Sequence, residues 1–207
     1  LPKAVPRGNK RWRHCVSEDL LHWTDEGCGL EPRKWYEKNG CYSGSGITAG
    51  DRYYLFYTGN VRNAGGGRET YQCMAVSEDG KTFVKKGPVV YLPEGYTPHF
   101  RDPKVWERDG RWWMAVGAQT KKQNGNAALF VSDDLQSWNL VGNMLDDSLD
   151  WGYMCECPDL IETEGQDYLV VSRQRDGDCR VMIFSGRMDY ESGRFHADID
   201  SERLLDE

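Results

Sequence analysis

The chain has 207 residues, a formal net charge of −7 and 12% aromatic residues. An acidic chain repels nucleic acid and anionic lipid, so neither nucleic acid nor a membrane is expected as a partner. No apolar run approaches the roughly 18 residues of a membrane-spanning helix. The length suits a single domain, because all-β folds of about this size are often one unit.

The seven cysteines are an odd number in a chain too long for a small disulfide-stapled domain. This usage favours free thiols in a reducing compartment, and therefore predicts a cytoplasmic protein. Cys155 and Cys157 are separated by one residue, but no second Cys or His pair follows at the spacing of a zinc site. The sequence therefore predicts no metal and no cofactor.

One pattern recurs along the chain, at residues 15–23, 75–83 and 130–138. Each copy has an apolar pair, a serine, two acidic residues, a short turn and an aromatic residue. The serines Ser17, Ser77 and Ser132 lie 60 and 55 residues apart. Short polar side chains of this kind hydrogen-bond the backbone of turns, so each copy predicts a strand that ends in a Ser/Asp turn.

A second element recurs in phase with these turns. Aromatic and β-branched runs at 51–57, 109–116 and 166–171 each predict a buried strand. Residues 60–69 and 117–125 are predicted to be polar hairpin tips. Four strands per unit, a period of about 55 residues and no useful helical periodicity predict an all-β fold, a β-propeller.

The repeat also predicts how the chain divides into units. Three whole units are expected over about residues 40–195, and Arg11 to Leu30 are expected to be the last strands of an earlier unit. Residues 203–207 are expected to start the next one. The predicted fold is therefore an incomplete propeller without an internal domain boundary.

The inner strand of each unit is predicted at 42–47, 100–105 and 156–161, and two carboxylates lie close to prolines where two of these strands begin. Asp102 directly precedes Pro103, and Glu156 lies two residues before Pro158. Proline restricts its own backbone and that of the residue before it, so these segments are held in place. Ser43 is predicted at a related place in the preceding unit.

Inner strands line the central axis of a propeller, so Asp102 and Glu156 are expected to converge on one pocket. Two converging carboxylates suit glycoside hydrolysis, in which one acid protonates the leaving oxygen. The alternative from the residues alone is structural: Asp102 pairs with Arg101, and Glu156 lies in a solvated turn.

Three segments resemble signature motifs of the family 32 glycoside hydrolases, which include invertases, fructanases and sucrose-6-phosphate hydrolases. They are Tyr42-Ser43-Gly44-Ser45-Gly46, Phe100-Arg101-Asp102-Pro103 and Glu156-Cys157-Pro158-Asp159-Leu160. The resemblance covers essentially the whole chain. Residues 58–62 and 152–154 are most similar to the bacterial sucrose-6-phosphate hydrolase branch.

The resemblance implies a five-bladed propeller that cleaves β-fructofuranosides, either sucrose or sucrose 6-phosphate, with retention of configuration. It implies that Asp102 stabilises the transition state and that Glu156 is the general acid/base. The substrate is then a small sugar. The implied substrate-binding residues are Tyr42, Ser43, Arg101, Asp102, Glu156 and Cys157.

The sequence lacks one of the family's catalytic residues, the nucleophile. The family's nucleophile is the Asp of an Asn-Asp-Pro-Asn-Gly motif, which does not occur in this sequence. Residues 1–207 are therefore expected to be part of a catalytic propeller, without the nucleophile strand and without the family's C-terminal β-sandwich. We expect these residues alone not to hydrolyse sucrose at a useful rate.

Arg173 and Arg175 also depart from the family, which often has Pro and Gly at these positions. They are expected to be solvated loop residues, with contact to a phosphorylated sugar as the alternative. Two other functions stay open at this point: an arabinan-type furanosidase with a similar set of acids, and a non-catalytic propeller that binds carbohydrate.

Overall fold

The structure is a computed structural model that describes residues 9–206. Its regular secondary structure is almost entirely β-strand. The strands are β1 (Trp12–Val16), β2 (Thr24–Leu30), β3 (Cys41–Ala49), β4 (Arg52–Arg62), β5 (Arg68–Ser77), β6 (Val84–Val90), β7 (Tyr96–Arg108), β8 (Arg111–Thr120), β9 (Gly125–Ser132), β10 (Asn139–Asn143), β11 (Met154–Glu162), β12 (Asp167–Arg175), β13 (Asp178–Asp189), β14 (Arg194–Ala197) and β15 (Arg203–Asp206). Short 3₁₀ turns cover Trp35–Glu37 and Ile199–Ser201. Within residues 9–206 no helix is long and apolar enough to cross a membrane.

The strands form three antiparallel sheets, each with four consecutive strands as neighbours, and a fifth strand, β15, joins the last of them. The first sheet is β3–β6, the second is β7–β10 and the third is β11–β14; β1 and β2 pair separately as a two-stranded sheet. The prediction of an all-β fold with four strands per unit is therefore confirmed. The predicted boundaries of the three units, about 40–195, agree closely with the observed strands.

The segment expected to start a further unit has a different place. β15 pairs antiparallel with β13 of the third sheet, with Ile183 opposite Arg203. β14 covers only the later part of β13, from Gly186 to Asp189. The earlier part of β13 would otherwise leave backbone donors and acceptors unpaired, and β15 satisfies them. The last residue of the predicted segment, 207, lies outside the described residues.

The second sheet is buried on both faces by its neighbours. Ala115 of β8 packs in one core cluster with Phe184 of the third sheet, whereas the adjacent Met114 packs in another with Phe56 of the first sheet. Successive side chains of a strand point to opposite faces, so alternate residues serve the two cores. Burying each phenylalanine contributes about 2 kcal/mol, and this packing fixes the three sheets against one another.

The predicted Ser/acid turns are present and use the expected hydrogen bonds. Ser132 Oγ accepts a hydrogen bond from the Leu135 amide at 2.9 Å, and Asp134 Oδ1 accepts from the two following amides at 2.8 and 2.7 Å. Ser17 and Asp19 repeat this pattern in the first copy. The side chains thus replace the backbone partners that a turn lacks.

Each of these turns also has one residue with left-handed backbone at the same position. The φ angles are 64° at Leu20, 69° at Gly80 and 65° at Leu135. This equivalence shows that the sequence repeat is a repeat of backbone conformation and not only of composition.

Candidate active site

A bulge interrupts the inner strand of each sheet at the equivalent place. The pairing of β3, β7 and β11 with the next strand shifts between Cys41 and Gly44, between Arg101 and Lys104, and between Glu156 and Asp159. The bulges therefore contain residues 42–43, 102–103 and 157–158. Bulges re-aim side chains next to active sites, and β7 contacts both β3 and β11.

The register corrects one expectation. Asp102 is equivalent to Tyr42 and Cys157, because all three are the first residue of a bulge. Glu156 instead precedes its bulge and is equivalent to Arg101. The two carboxylates thus occupy adjacent positions in the repeat rather than the same one.

Arg101 lies between the two carboxylates and brings them together. Its Nε and Nη2 atoms lie 2.8 and 2.5 Å from Glu156 Oε1. Its Nε lies 3.8 Å from Asp102 Oδ2. Arg101 and Asp102 do form the pair that the structural alternative contains, but Glu156 is half-buried on β11 and hydrogen-bonded to Arg101 rather than in a solvated turn. A desolvated guanidinium shared by two acids holds both at one place.

Asp102 is held by its backbone as well as by its side chain. Its φ is 66°, and its amide donates to Thr58 Oγ1 at 2.9 Å. Oδ2 accepts from the Cys157 amide at 3.3 Å. Burial raises the pKa of Asp102 to about 6; Arg101 opposes this rise, and the charge of Glu156 adds to it. The carboxylate therefore titrates close to neutral pH.

The second oxygen of Glu156 also has partners. Oε2 accepts from Gln174 Nε2 at 2.5 Å, and Cys179 Sγ lies 3.7 Å away. Both residues come from the hairpin end of β12 and β13, so the third sheet orients its own carboxylate. A proton donor must be held at a fixed position relative to the leaving atom.

A buried chain of hydrogen bonds supports the Asp102 backbone from the first sheet. Thr58 Oγ1 donates to Gln72 Oε1 at 2.8 Å, and Gln72 Nε2 donates to the Phe100 carbonyl at 3.1 Å. Thr58 and Gln72 are fully buried. The first sheet therefore fixes the strand that carries Arg101 and Asp102.

Of the remaining predicted residues, Cys157 contacts Asp102 through its amide, whereas Tyr42 and Ser43 lie in the bulge of β3 on the neighbouring sheet. Tyr42 is half-buried and Ser43 exposed in the bulge of β3, and the Trp12 indole donates to the Tyr42 carbonyl at 2.8 Å. Cys157 is exposed and has a φ of 46°. A cysteine with left-handed backbone is unusual and marks a strained position.

His99 and Tyr153 extend the site toward solvent. Tyr153 OH lies 3.1 Å from His99 Nε2, and His99 Nδ1 lies 3.4 Å from Arg101 Nη1. Burial lowers the pKa of His99, and the positive charges of Arg101 and Arg68 lower it further. A neutral imidazole can accept a hydrogen bond at this position.

A glycine allows β8 of the second sheet to approach β11 of the third. Gly117 pairs with Arg101, and a Cβ atom at Gly117 would lie 2.6 Å from the Cys155 carbonyl oxygen and 3.2 Å from the Glu156 Cα. These are backbone atoms, which cannot relieve the clash by a change of rotamer. Gly117 therefore sets how closely Glu156 approaches Arg101.

Another buried carboxylate has a structural role. Glu37 accepts hydrogen bonds from the amides of Arg33 and Lys34, from Tyr57 OH at 2.6 Å and from Lys85 Nζ. All of its acceptor capacity is used within the fold. It fixes the 3₁₀ turn before β3 and leaves no oxygen for a ligand.

Arg173 and Arg175 are neutralised by acids. Arg173 donates to Glu202 at 2.6 Å, and Arg175 lies 2.8 Å from Asp150. Neither offers free charge to a sugar phosphate. In the described part of the chain, no group of three or more His, Cys, Asp or Glu residues has the arrangement of a metal site.

Sequence reasoning missed the residues that support the carboxylates. Thr58, Gln72, Gln174 and Gly117 lie on the second strands of their sheets or beyond, far along the chain from the acids they serve. Polar residues within otherwise apolar strands were the available signal, as at Thr58 and Gln72.

The comparisons with known proteins agree with each other. The family described as "Glycosyl hydrolases family 32 N-terminal domain" matches residues 1–207. Sucrose-6-phosphate hydrolase of Bacillus subtilis is 51% identical over 204 residues, which cover 91% of this chain and 42% of that protein. The corresponding enzyme of Klebsiella pneumoniae is 43% identical over 206 residues, covering 94% and 44%. The chain thus spans less than half the length of these relatives.

Solved structures show the same relationship. Sucrose-6-phosphate hydrolase from Lactobacillus gasseri superposes with a TM-score of 0.86 at 28% identity, covering 95% of this chain and 42% of that one. The Bombyx mori GH32 beta-fructofuranosidase BmSUC1 has a TM-score of 0.83 at 32% identity, covering 95% and 43%. The sequence motifs, the sheets and these matches lead to one conclusion: the chain belongs to glycosyl hydrolase family 32, where it matches the N-terminal domain.

Proposed function

We propose that the protein is a glycosidase that hydrolyses the β-fructofuranosyl bond of sucrose 6-phosphate and, less efficiently, of sucrose. The observation that carries this proposal is the placement of Asp102 and Glu156 on neighbouring inner strands, both in contact with Arg101. Membership of the family and the relatives named as sucrose-6-phosphate hydrolases support the substrate.

In the proposed mechanism, Glu156 protonates the glycosidic oxygen as it leaves and later takes a proton from the attacking water. Its partners Arg101 and Gln174 are both donors, so they hold the ionised carboxylate that forms once the proton has left. This arrangement favours the state that develops in the transition state.

Asp102 is proposed to accept hydrogen bonds from the hydroxyl groups of the fructosyl unit. With a pKa of about 6, it is mostly ionised at neutral pH and able to accept them. Tyr42, Ser43 and Cys157 lie at the neighbouring bulges and are proposed to contact the same sugar.

Retention requires a nucleophile carboxylate about 5–5.5 Å from the acid. We propose that the three sheets β3–β6, β7–β10 and β11–β14 are successive blades of a five-bladed propeller, and that residues 1–207 are part of the catalytic domain. The nucleophile would come from a blade outside these sheets, on the other side of the axis that β3, β7 and β11 line.

The test uses the intact protein with sucrose 6-phosphate and with sucrose, and measures release of fructose. Glu156→Gln should lower kcat by about 10²- to 10⁴-fold, because general acid catalysis contributes that much. Glu164→Gln is the matched control: this exposed residue lies in the β11–β12 turn, at the far end of the strand that carries Glu156. Absence of fructose release by the unaltered protein would refute the proposal.

A further inference from the structure

Two arginines in the structure lack the partners that the other arginines have. Within residues 9–206, every other arginine contacts an acidic side chain or donates to a carbonyl oxygen. The guanidinium groups of Arg62 and Arg68 have neither kind of contact in this part of the chain. Their donors are free to bind a ligand.

These two arginines face each other across one hairpin. Arg62 ends β4 and Arg68 begins β5, and the two residues are directly paired. Like charges placed opposite each other in a sheet are destabilising. In a chain with a net charge of −7, an uncompensated pair of this kind favours an anion as its missing partner.

The pair lies at the end of the first sheet that carries the proposed site. Gly59 of β4 pairs with Cys41, the residue before the bulge of β3. On β5, Thr70 and Gln72 donate to the carbonyls of Pro98 and Phe100 on β7. Since alternate residues share a face, Arg68 lies on the same side of β5 as these two.

Arg68 is close enough to Glu156 to be affected by its charge. It is half-buried. Burial lowers the pKa of Arg68, as do the positive charges of Arg101 and Arg62, whereas Tyr42 and Glu156 act in the opposite direction. Arginine nevertheless keeps its charge in proteins, so Arg68 brings an unneutralised positive charge to the edge of the site.

Asn60 gives a second, independent observation. It is fully buried, and neither its Oδ1 nor its Nδ2 has a hydrogen-bond partner in residues 9–206. It pairs with Thr70, one step along the same face from the Arg62–Arg68 pair. A buried amide without partners is rare in proteins and favours a bound water or ligand as its partner.

We propose that Arg62 and Arg68 bind the phosphate of the substrate, the 6-phosphate on the glucosyl unit, while the fructosyl unit contacts Asp102 and Glu156. This inference rests on the proposed function and adds the residues that select a phosphorylated sugar. Two planar guanidinium groups can each donate two hydrogen bonds to phosphate oxygens. The Asn60 amide donates to the phosphate through a bound water.

The experiment compares kcat/KM for sucrose 6-phosphate and for sucrose in the intact protein. The specificity ratio should fall about 10- to 100-fold in Arg68→Gln, because a charged hydrogen bond contributes about 1.5–3 kcal/mol. Arg62→Gln should act in the same direction, and Arg68→Lys should restore part of the ratio. Arg52→Gln is the control, since Arg52 pairs with Glu78 at the opposite end of the same sheet; it should leave the ratio unchanged.

Inorganic phosphate provides a second readout. It should compete with sucrose 6-phosphate in the unaltered protein and lose this effect in Arg68→Gln. An equal fall in kcat/KM for both substrates would overturn the inference, because the arginines would then act on the shared fructosyl site. If the unaltered protein cleaves neither substrate, the proposed function fails by itself; calorimetric titration with glucose 6-phosphate then still decides whether Arg62 and Arg68 bind a sugar phosphate.

Discussion

The guanidinium of Arg101 donates two hydrogen bonds to the same carboxylate oxygen of Glu156, from Nε at 2.8 Å and from Nη2 at 2.5 Å. The two residues are equivalent positions on the inner strands of adjacent sheets. The Arg101 side chain is 8% exposed, so the pair is shielded from water and from salt. Its geometry therefore affects the reaction more than a surface ion pair would.

Arg101→Lys should keep the positive charge and lose the paired N–H donors of the guanidinium. A single ammonium cannot donate in two directions in the plane of the carboxylate, so Glu156 is held less firmly. We expect kcat to fall about 10- to 100-fold with little change in the unfolding free energy. Arg108→Lys is the control, because Arg108 pairs with Glu162 further along the same two strands; a similar fall in that variant would contradict the prediction.

Asp102→Asn should stabilise the fold at neutral pH while it lowers activity. The pKa of Asp102 rises from 3.8 to about 6 on folding, so the folded protein binds this proton more tightly than the unfolded chain. Stability is therefore lost as pH rises from about 4 to 6, by up to about 3 kcal/mol. Asn carries no charge at any pH, so the variant does not lose this stability as the pH rises.

Urea unfolding of both proteins at pH 4 and pH 7.5 tests this expectation. The variant should exceed the unaltered protein in unfolding free energy by about 1–3 kcal/mol at pH 7.5 and by much less at pH 4. Asn tolerates the left-handed backbone as well as Asp does. A difference of the same size at both pH values would show that Asp102 is not strained by its charge.

Gly117→Ala should reduce both stability and turnover. The added methyl group would meet the backbone of Cys155 and Glu156, so β11 must move away from β8. Overpacking of this kind costs about 1–3 kcal/mol. The thermal unfolding temperature and kcat should both fall. Gly165→Ala is the control: no heavy atom lies within 4 Å of the new Cβ, so it should change neither quantity.

The Ser/acid turns allow a matched test of backbone strain. Leu20→Gly should raise the unfolding free energy by about 1 kcal/mol, since Leu20 has a φ of 64° and a largely exposed side chain. Leu135→Gly relieves the same strain but removes a buried side chain, so it should be destabilising by about 2 kcal/mol. Chemical denaturation of the two variants should give changes of opposite sign.

The sheets could be predicted from the sequence because their signal is local and repeated. The Ser/acid turns at Ser17, Ser77 and Ser132 gave the period, and the aromatic runs between them gave the second strands. The segment 203–206 was predicted less well, since its pairing depends on which part of β13 is left open. Only the assembled sheet contains that information.

The site was predictable in its parts but not in its register. Pro103 and Pro158 marked both carboxylates, yet a shift of one residue in the alignment of the repeats decides whether Glu156 is equivalent to Asp102 or to Arg101. The sequence predicts that residues 60–69 form a polar hairpin tip. In the structure, the pairing between β4 and β5 continues as far as Arg62 and Arg68. A polar strand end and a loop look alike in sequence.

The bulges of the inner strands have a consequence for how such a protein can change. They contain three positions that are equivalent in the repeat, 42, 102 and 157, on the inner strands of three successive sheets. Positions 102 and 157 have left-handed backbone and so favour Asp, Asn or Gly, whereas position 42 has no such restriction. Under the proposed function, exchange of the side chain at position 42 is therefore the change that alters which sugar is accepted without rebuilding any sheet.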